Sequence, residues 1–280
     1  MTNTKKQLMT AIAMLVVAAL ALGTSTYAWF VSNTTVKVDS MTFTAQTVDD
    51  LQIALTTEAW TGALSGTSAT AGTFKTLITT ADLNALYTAK GANLTGAALI
   101  PASTINAASF FKVADGAASW ELNGSGVNIA KTFEPTNNIS DNCVKAIPLY
   151  LKSTTGTSIY LSANTKVEGA AAPAARVAFA VEGGSTIIWA PDAATHIADY
   201  KVTTIGDADG IAKAVDSTST VGDITGYTAS KPTAAIATLE KDVAKRIIVY
   251  IWLEGCDVDC VSGLSAKDLI VNLEFTSQNS

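Results

Sequence analysis

The sequence predicts an all-β sandwich behind an export signal. Three observations point there: many short runs of β-branched and aromatic residues, period-two alternation within several of them, and few stretches with helical spacing. No fixed-period repeat runs through the chain, which argues against a solenoid. The 280 residues are 48% apolar, enough to build a packed core and too apolar for a chain disordered by composition.

Residues 1–28 have the pattern of a signal peptide. Lys5 and Lys6 precede an apolar run from Ala11 to Leu22, and Gly23-Thr24-Ser25-Thr26-Tyr27-Ala28 follows. A basic start, a short apolar stretch and small residues before the cut are what an export signal requires. Cleavage is expected between Ala28 and Trp29. The apolar run falls short of the roughly 18 residues that cross a bilayer as a helix. That favours cleavage over a retained anchor in which Tyr27, Trp29 and Phe30 would sit at the membrane surface.

Residues 29–280 are expected to form a single domain. Trp29-Phe30-Val31 is an apolar segment that cleavage would expose, and Thr34-Thr35-Val36-Lys37-Val38 is β-prone. From Val36 to Phe43 the alternation is imperfect, and Leu51 to Leu55 repeats the pattern after a polar turn. Residues 56–126 turn Ala-, Thr- and Gly-rich and predict a surface-exposed insertion, a long decorated loop. Within it one short helix is expected near Thr80–Lys90, with Thr80 as cap and Leu83, Leu86 and Tyr87 on one face.

Strand signals return at Ala146–Lys152, where Pro148 predicts an edge strand or a bulge because proline cannot donate to a ladder. Ile159–Leu161, Arg176–Val181 and Thr186–Trp189 follow, the last two joined by a hairpin connection at Glu182-Gly183-Gly184-Ser185. A second low-complexity stretch fills 191–240. Arg246–Leu253 is a nearly continuous β-branched and aromatic run, as in a central strand buried on both faces. Leu269–Phe275 closes the chain with cleaner alternation.

The formal net charge is −6, and 15% of residues are charged. Residues 1–28 hold two lysines and no acids, so the remainder carries 16 basic against 24 acidic residues, a net −8. Binding phosphates requires concentrated Lys and Arg, so no nucleic-acid partner is expected. Cys143, Cys256 and Cys260 predict, for an exported chain, one disulfide and one leftover thiol. Cys256 and Cys260 would close a tight loop, or Cys143 would pair with either. A zinc site lacks the recognised ligand spacing.

Nothing in the sequence supports catalysis. No Gly-x-Ser-x-Gly elbow, His-Glu-x-x-His pair or phosphate loop appears, His196 is the single histidine, and no cofactor is expected. Asp207 and Asp209, with Asp216 beyond, overlay part of a calcium-loop pattern. Ile205 occupies its first ligand slot, however, and Asp216 replaces the glutamate of its last. Glu254, Asp257 and Asp259 form a second acidic cluster. Solvated turns are expected at both, and no metal. Of the five tryptophans, Trp189 and Trp252 lie in strand-like runs and are expected in the core. Trp60 and Trp120 stand in loop-like surroundings open to stacking on sugars.

The junction Gly23-Thr24-Ser25-Thr26-Tyr27-Ala28-Trp29-Phe30, followed by Met41-Thr42-Phe43-Thr44-Ala45 and Leu51-Gln52-Ile53, resembles the TasA/camelysin family of Gram-positive surface proteins. Ile251-Trp252-Leu253-Glu254-Gly255, then acidic residues, Cys260 and a last strand, resembles the C-terminal end of related clostridial surface proteins. The resemblance implies cleavage by a SipW-type signal peptidase, an extracellular location and a jelly-roll-like antiparallel sandwich. It also implies a homopolymer built by strand donation, in which a freed N-terminus fills a groove in the next subunit. Trp29, Phe30, Val31, Thr35, Val36 and Val38 would then form the assembly strand, or the same segment would fold back as the first strand of its own domain. No sortase motif, apolar tail or lipobox cysteine is seen. After cleavage, the chain is therefore expected to polymerise, to diffuse away, or to bind wall or matrix glycans as a monomeric adhesin or carbohydrate-binding module.

Overall fold

The computed structural model describes residues 14, 36–46, 51–56, 61–64, 70–104, 106–113, 121–122, 128–129, 133–191, 202–203, 213–214, 227–228, 231–255, 260 and 268–277. In chain order its elements are β1 (Val36–Ala45), β2 (Gln52–Leu55), β3 (Leu77–Ile78), α1 (Thr80–Thr88), β4 (Ala98–Leu99), β5 (Ala102–Ser103) and β6 (Phe110–Val113). Next come β7 (Glu121–Leu122), β8 (Asn128–Ile129), β9 (Phe133–Thr136), β10 (Val144–Lys152), β11 (Thr157–Leu161), β12 (Lys166–Glu168) and β13 (Ala175–Val181). The remainder are β14 (Thr186–Trp189), β15 (Val202–Thr203), β16 (Lys213–Ala214), β17 (Tyr227–Thr228), β18 (Ala237–Leu239), β19 (Lys245–Leu253) and β20 (Asp268–Thr276).

The chain is an all-β sandwich. One sheet runs β18-β11-β20-β1-β3, with β12 also on β20 and β4 also on β1; the other runs β17-β14-β13-β19-β10-β2. The sheets face each other through apolar side chains, with Phe179 of β13 edge-on to Phe275 of β20 at 6.4 Å. β19 is the central strand its composition predicts: β10 and β13 flank it, and Ile247 through Leu253 are all buried. In β20, Leu269, Val271, Leu273 and Phe275 point inward while Ile270, Asn272 and Glu274 are half-buried on the other face.

Phe179 faces the opposite sheet and pairs with Val249, so Tyr250 and Trp252 point the other way. That outer face is covered by a third layer, the small sheet β5-β6-β9 with residues 61–64. Phe110 of β6 sits 5.2 Å from the Tyr250 ring and 5.3 Å from that of Trp252. The Tyr250 hydroxyl donates to the Leu64 carbonyl at 2.6 Å. Burying these rings satisfies the polar tip of the tyrosine as well as its apolar body.

Four expectations are refined or corrected. First, the expected antiparallel sandwich holds, with two parallel pairs within it: β1 runs parallel to β20 and β14 parallel to β17, while the other pairs of both sheets are antiparallel. A parallel neighbour needs a long crossover, which the whole intervening chain supplies between β1 and β20. Second, β10 is neither an edge strand nor bulged; its register with β19 is unbroken from Val144↔Trp252 to Leu151↔Lys245. The Pro148 carbonyl accepts from Thr56 N–H on the β2 side, so the proline nitrogen faces that side too. There the regular ladder begins only at Leu149, and no donor is missed.

Third, the insertion is not a decorated loop where it is described. Leu83, Tyr87, Leu94, Leu99 and Ala102 are fully buried, and the Tyr87 hydroxyl donates to Ala146 of β10 at 3.0 Å. Small side chains let this segment pack closely, and its apolar positions are too widely spaced to show a period. Fourth, α1 exists but is capped one residue earlier. Thr79 accepts from Asp82 N–H and Asp82 accepts from Thr79 N–H, a reciprocal capping box. Leu83 and Tyr87 of the expected face are buried, and Leu86 is half-buried.

Candidate assembly strand and its slot

β1 is the strand that a freed leading segment would run into, and its geometry follows from its pattern. Val36, Val38, Met41, Phe43 and Ala45 are buried, while Lys37 and Asp39 are exposed. The buried positions change from even to odd numbers because a register shift lies between Val38 and Ser40. One extra residue at a bulge moves every later side chain to the other parity. The imperfect alternation in the sequence is therefore a bulge and not a weak strand.

The two flanks of β1 differ. On one side a parallel ladder with β20 runs from Lys37↔Asp268 to Ala45↔Phe275. On the other, β3 meets only Phe43 and Thr44, and β4 only Val36 and Lys37. Between those short strands Thr80 acts as a substitute partner. Its hydroxyl donates to the Met41 carbonyl at 3.0 Å and accepts from Met41 N–H at 3.2 Å. The slot that holds β1 is thus one long rail and one interrupted rail, with no unpaired edge left at Met41.

Polar contacts on the outer face tie the strand to β20. The Thr42 hydroxyl donates to Asn272 Oδ1 at 2.7 Å, and Gln46 Nε2 donates to the Glu274 carboxylate. Ser162 Oγ also donates to Glu274, at 2.9 Å, and Asn164 Nδ2 bonds both of its oxygens at 3.3 Å. Two other edges are closed or charged. Residues 71–75 bridge the outer side of β2 at Ile53↔Lys75 and Thr56↔Ala71. Exposed Lys166 and Glu168 of β12 pair with each other at 3.5 Å, and charge on an edge strand discourages a further strand.

Of the predicted assembly residues, Val36 and Val38 lie in β1 and are fully buried in the chain's own sheet. Trp29, Phe30, Val31 and Thr35, with Ala28 of the expected cut, lie outside the described residues, as do Trp60, Trp120, His196, Cys256, Asp207, Asp209, Asp216, Asp257 and Asp259. Trp189 and Trp252 are core residues, as expected. Cys143 is a buried free thiol, one of the outcomes the sequence left open: burial pushes it up to about 12, and Sγ donates to the Asp141 carbonyl at 3.3 Å. Cys260 is buried as well and is not joined to Cys143.

Glu254 is likewise not in a solvated turn. It is fully buried, its Oε2 accepts from Trp252 Nε1 at 3.1 Å, and its N–H donates to Ala174 O. Arg176, opposite Trp252 in the ladder, is also fully buried and donates from Nη1 to the Pro173 and Ala175 carbonyls. Among the described residues no group of His, Cys, Asp and Glu is placed to hold a metal. No helix among them is long and apolar enough to cross a membrane.

Several polar residues of structural weight were not singled out by sequence. Lys145 is fully buried, donates to Asn93 O at 2.6 Å and Asn142 Oδ1 at 3.3 Å, and lies over the Tyr87 ring. Burial pulls its ammonium down to about 8. It shares strand parity with inward-facing Ile147, Leu149 and Leu151, which was the available signal. Glu274 and Gln46 give no such sign, since their partners come from the opposite end of the chain. Comparison with protein-family models, curated proteins and solved structures returned no match.

Proposed function

We propose that this chain is an exported structural subunit of an extracellular surface or matrix filament, in which the leading strand of one copy occupies the β1 slot of another. The observation that carries the proposal is β1 itself. Five inward apolar side chains alternate with polar ones on the first described strand, and one rail of its slot is made of two-residue strands, the Thr76 carbonyl and a threonine side chain. A strand so placed exchanges between copies with every native contact re-formed, which makes swapping a low-cost route to assembly. The covered edges of β1 and β2 favour replacement of a strand over addition of one. Signal peptidase would act once, during export, and further copies of the chain would be the lasting partners.

Electron microscopy of the purified, processed chain tests this directly. Regular filaments are expected, and deletion of residues 29–38 should abolish them. A second measurement reports the exchange itself: chains carrying Lys37→Cys are mixed with chains carrying Asp268→Cys, positions that face each other in the ladder. Disulfides between chains support the proposal. A chain that stays monomeric at high concentration and forms no cross-chain disulfide overturns it, and leaves a solitary exported module such as a glycan-binding adhesin.

A further inference from the structure

The apolar face of β1 holds the strand in its slot but discriminates poorly between registers. A slip of two residues returns most apolar side chains to the same face, so on this face it is opposed by differences in their size and by displacement of the bulge after Val38. The outer face is more particular. Glu274 is held by residues that are not part of β1: Ser162 Oγ and Asn164 Nδ2 donate to its carboxylate, and Thr165 Oγ1 donates to its carbonyl and accepts from its N–H. Lys231 in turn fixes the Ser162 carbonyl at 2.7 Å. All of these residues belong to the slot. Among the described residues, the carboxylate takes one donor from the arriving strand, Gln46 Nε2.

We infer that Glu274 selects the leading strand and sets its register, accepting a second copy of this chain because that copy brings an amide donor at position 46. The inference rests on the strand exchange proposed above. A carboxylate so held admits an amide or a cation at that point and rejects a second carboxylate, since like charges placed opposite each other destabilise a strand pair. Gln46 lies just beyond the last ladder pair, Ala45↔Phe275, and its N–H donates to Phe275 O at 2.9 Å. Only the native register therefore brings its side chain to Glu274. A two-residue slip puts Thr44 or a residue beyond Gln46 there instead, and breaks the Thr42–Asn272 bond as well.

The test uses the Lys37→Cys and Asp268→Cys pair, both sites exposed and remote from Glu274. Adding Gln46→Glu to the strand-giving chain is expected to lower cross-chain disulfides at least about tenfold, the scale of a lost hydrogen bond to a charged group. Adding Glu274→Gln to the slot-giving chain should restore them, because the amide then donates from the other side. Gln46→Ala should fall between, and with both cysteines in one chain it should still close the intrachain disulfide, showing that the fold survives. Equal cross-chain yields from all combinations overturn the selection by Glu274 while leaving strand exchange standing. No cross-chain product from the parent pair overturns strand exchange, and the selection with it.

Discussion

Single side chains set the pH behaviour and local stability of this molecule. Asp82 joins two tasks, completing the cap of α1 with Thr79 and pairing with Lys75 Nζ at 2.7 Å. The Lys75 hydrogen bond is the main cause that lowers its carboxyl from 3.8 to about 2. A folded value below the unfolded one means the stability it adds is whole above pH 3.8 and drains away as pH falls toward 2. The stability gap between wild type and Asp82→Asn, followed by denaturant titration, should close across that window. Thr79→Ala removes the cap and should cost about 1 kcal/mol at neutral pH. Lys145 works in the opposite sense. The unfolded chain keeps its proton up to 10.5 while the folded one sheds it near 8, so stability rises with pH between those values. Relative to Lys145→Met, the wild type should gain stability as pH is raised from 8 to 10.5, read from thermal midpoints.

At the scale of elements, two junctions carry more than their length suggests. Gly169 follows β12 at φ +107, and a Cβ there would lie 2.2 Å from the Asp268 carbonyl at the start of β20. Backbone cannot yield as a side-chain tip does, so Gly169→Ala should cost roughly 1–3 kcal/mol and free β12 from β20, visible as faster amide exchange at residues 166–168. The third layer depends on Phe110, whose ring rests on Tyr250 and Trp252. Phe110→Ala should cost about 3–5 kcal/mol and raise exchange in residues 61–64 and 102–113 before the two main sheets open.

For the whole molecule, the decisive fact is that the first described strand lies beside the last. β20 stands between β1 on one side and β11 and β12 on the other, so the first sheet cannot close until residues 268–276 are present. Such long-range pairing makes folding slow, because the loop entropy is spent before the contacts form. Truncation before Asp268 should therefore leave a chain without a cooperative thermal transition. A chain beginning at Thr47 should recover one when a peptide of residues 34–46 is supplied, if β1 seats from outside as readily as from within. That measurement bears on strand exchange without needing a filament.

The sequence by itself determined the class of fold and the positions of its principal strands. Alternation in Leu269–Phe275, the dense β-branched run of Arg246–Leu253 and the helix around Leu83 and Tyr87 are local patterns, and local patterns survive into the structure. Tertiary structure alone decided which strands are neighbours. It set β1 parallel to β20, placed Pro148 on an interior strand, drew the Ala- and Thr-rich insertion into the core, and buried Glu254, Arg176 and Lys145. The physical reason is that periodicity records which side of an element faces apolar surroundings. The partner of a polar group, such as Gln46 for Glu274 across 228 residues, is chosen by packing and leaves no trace in either segment.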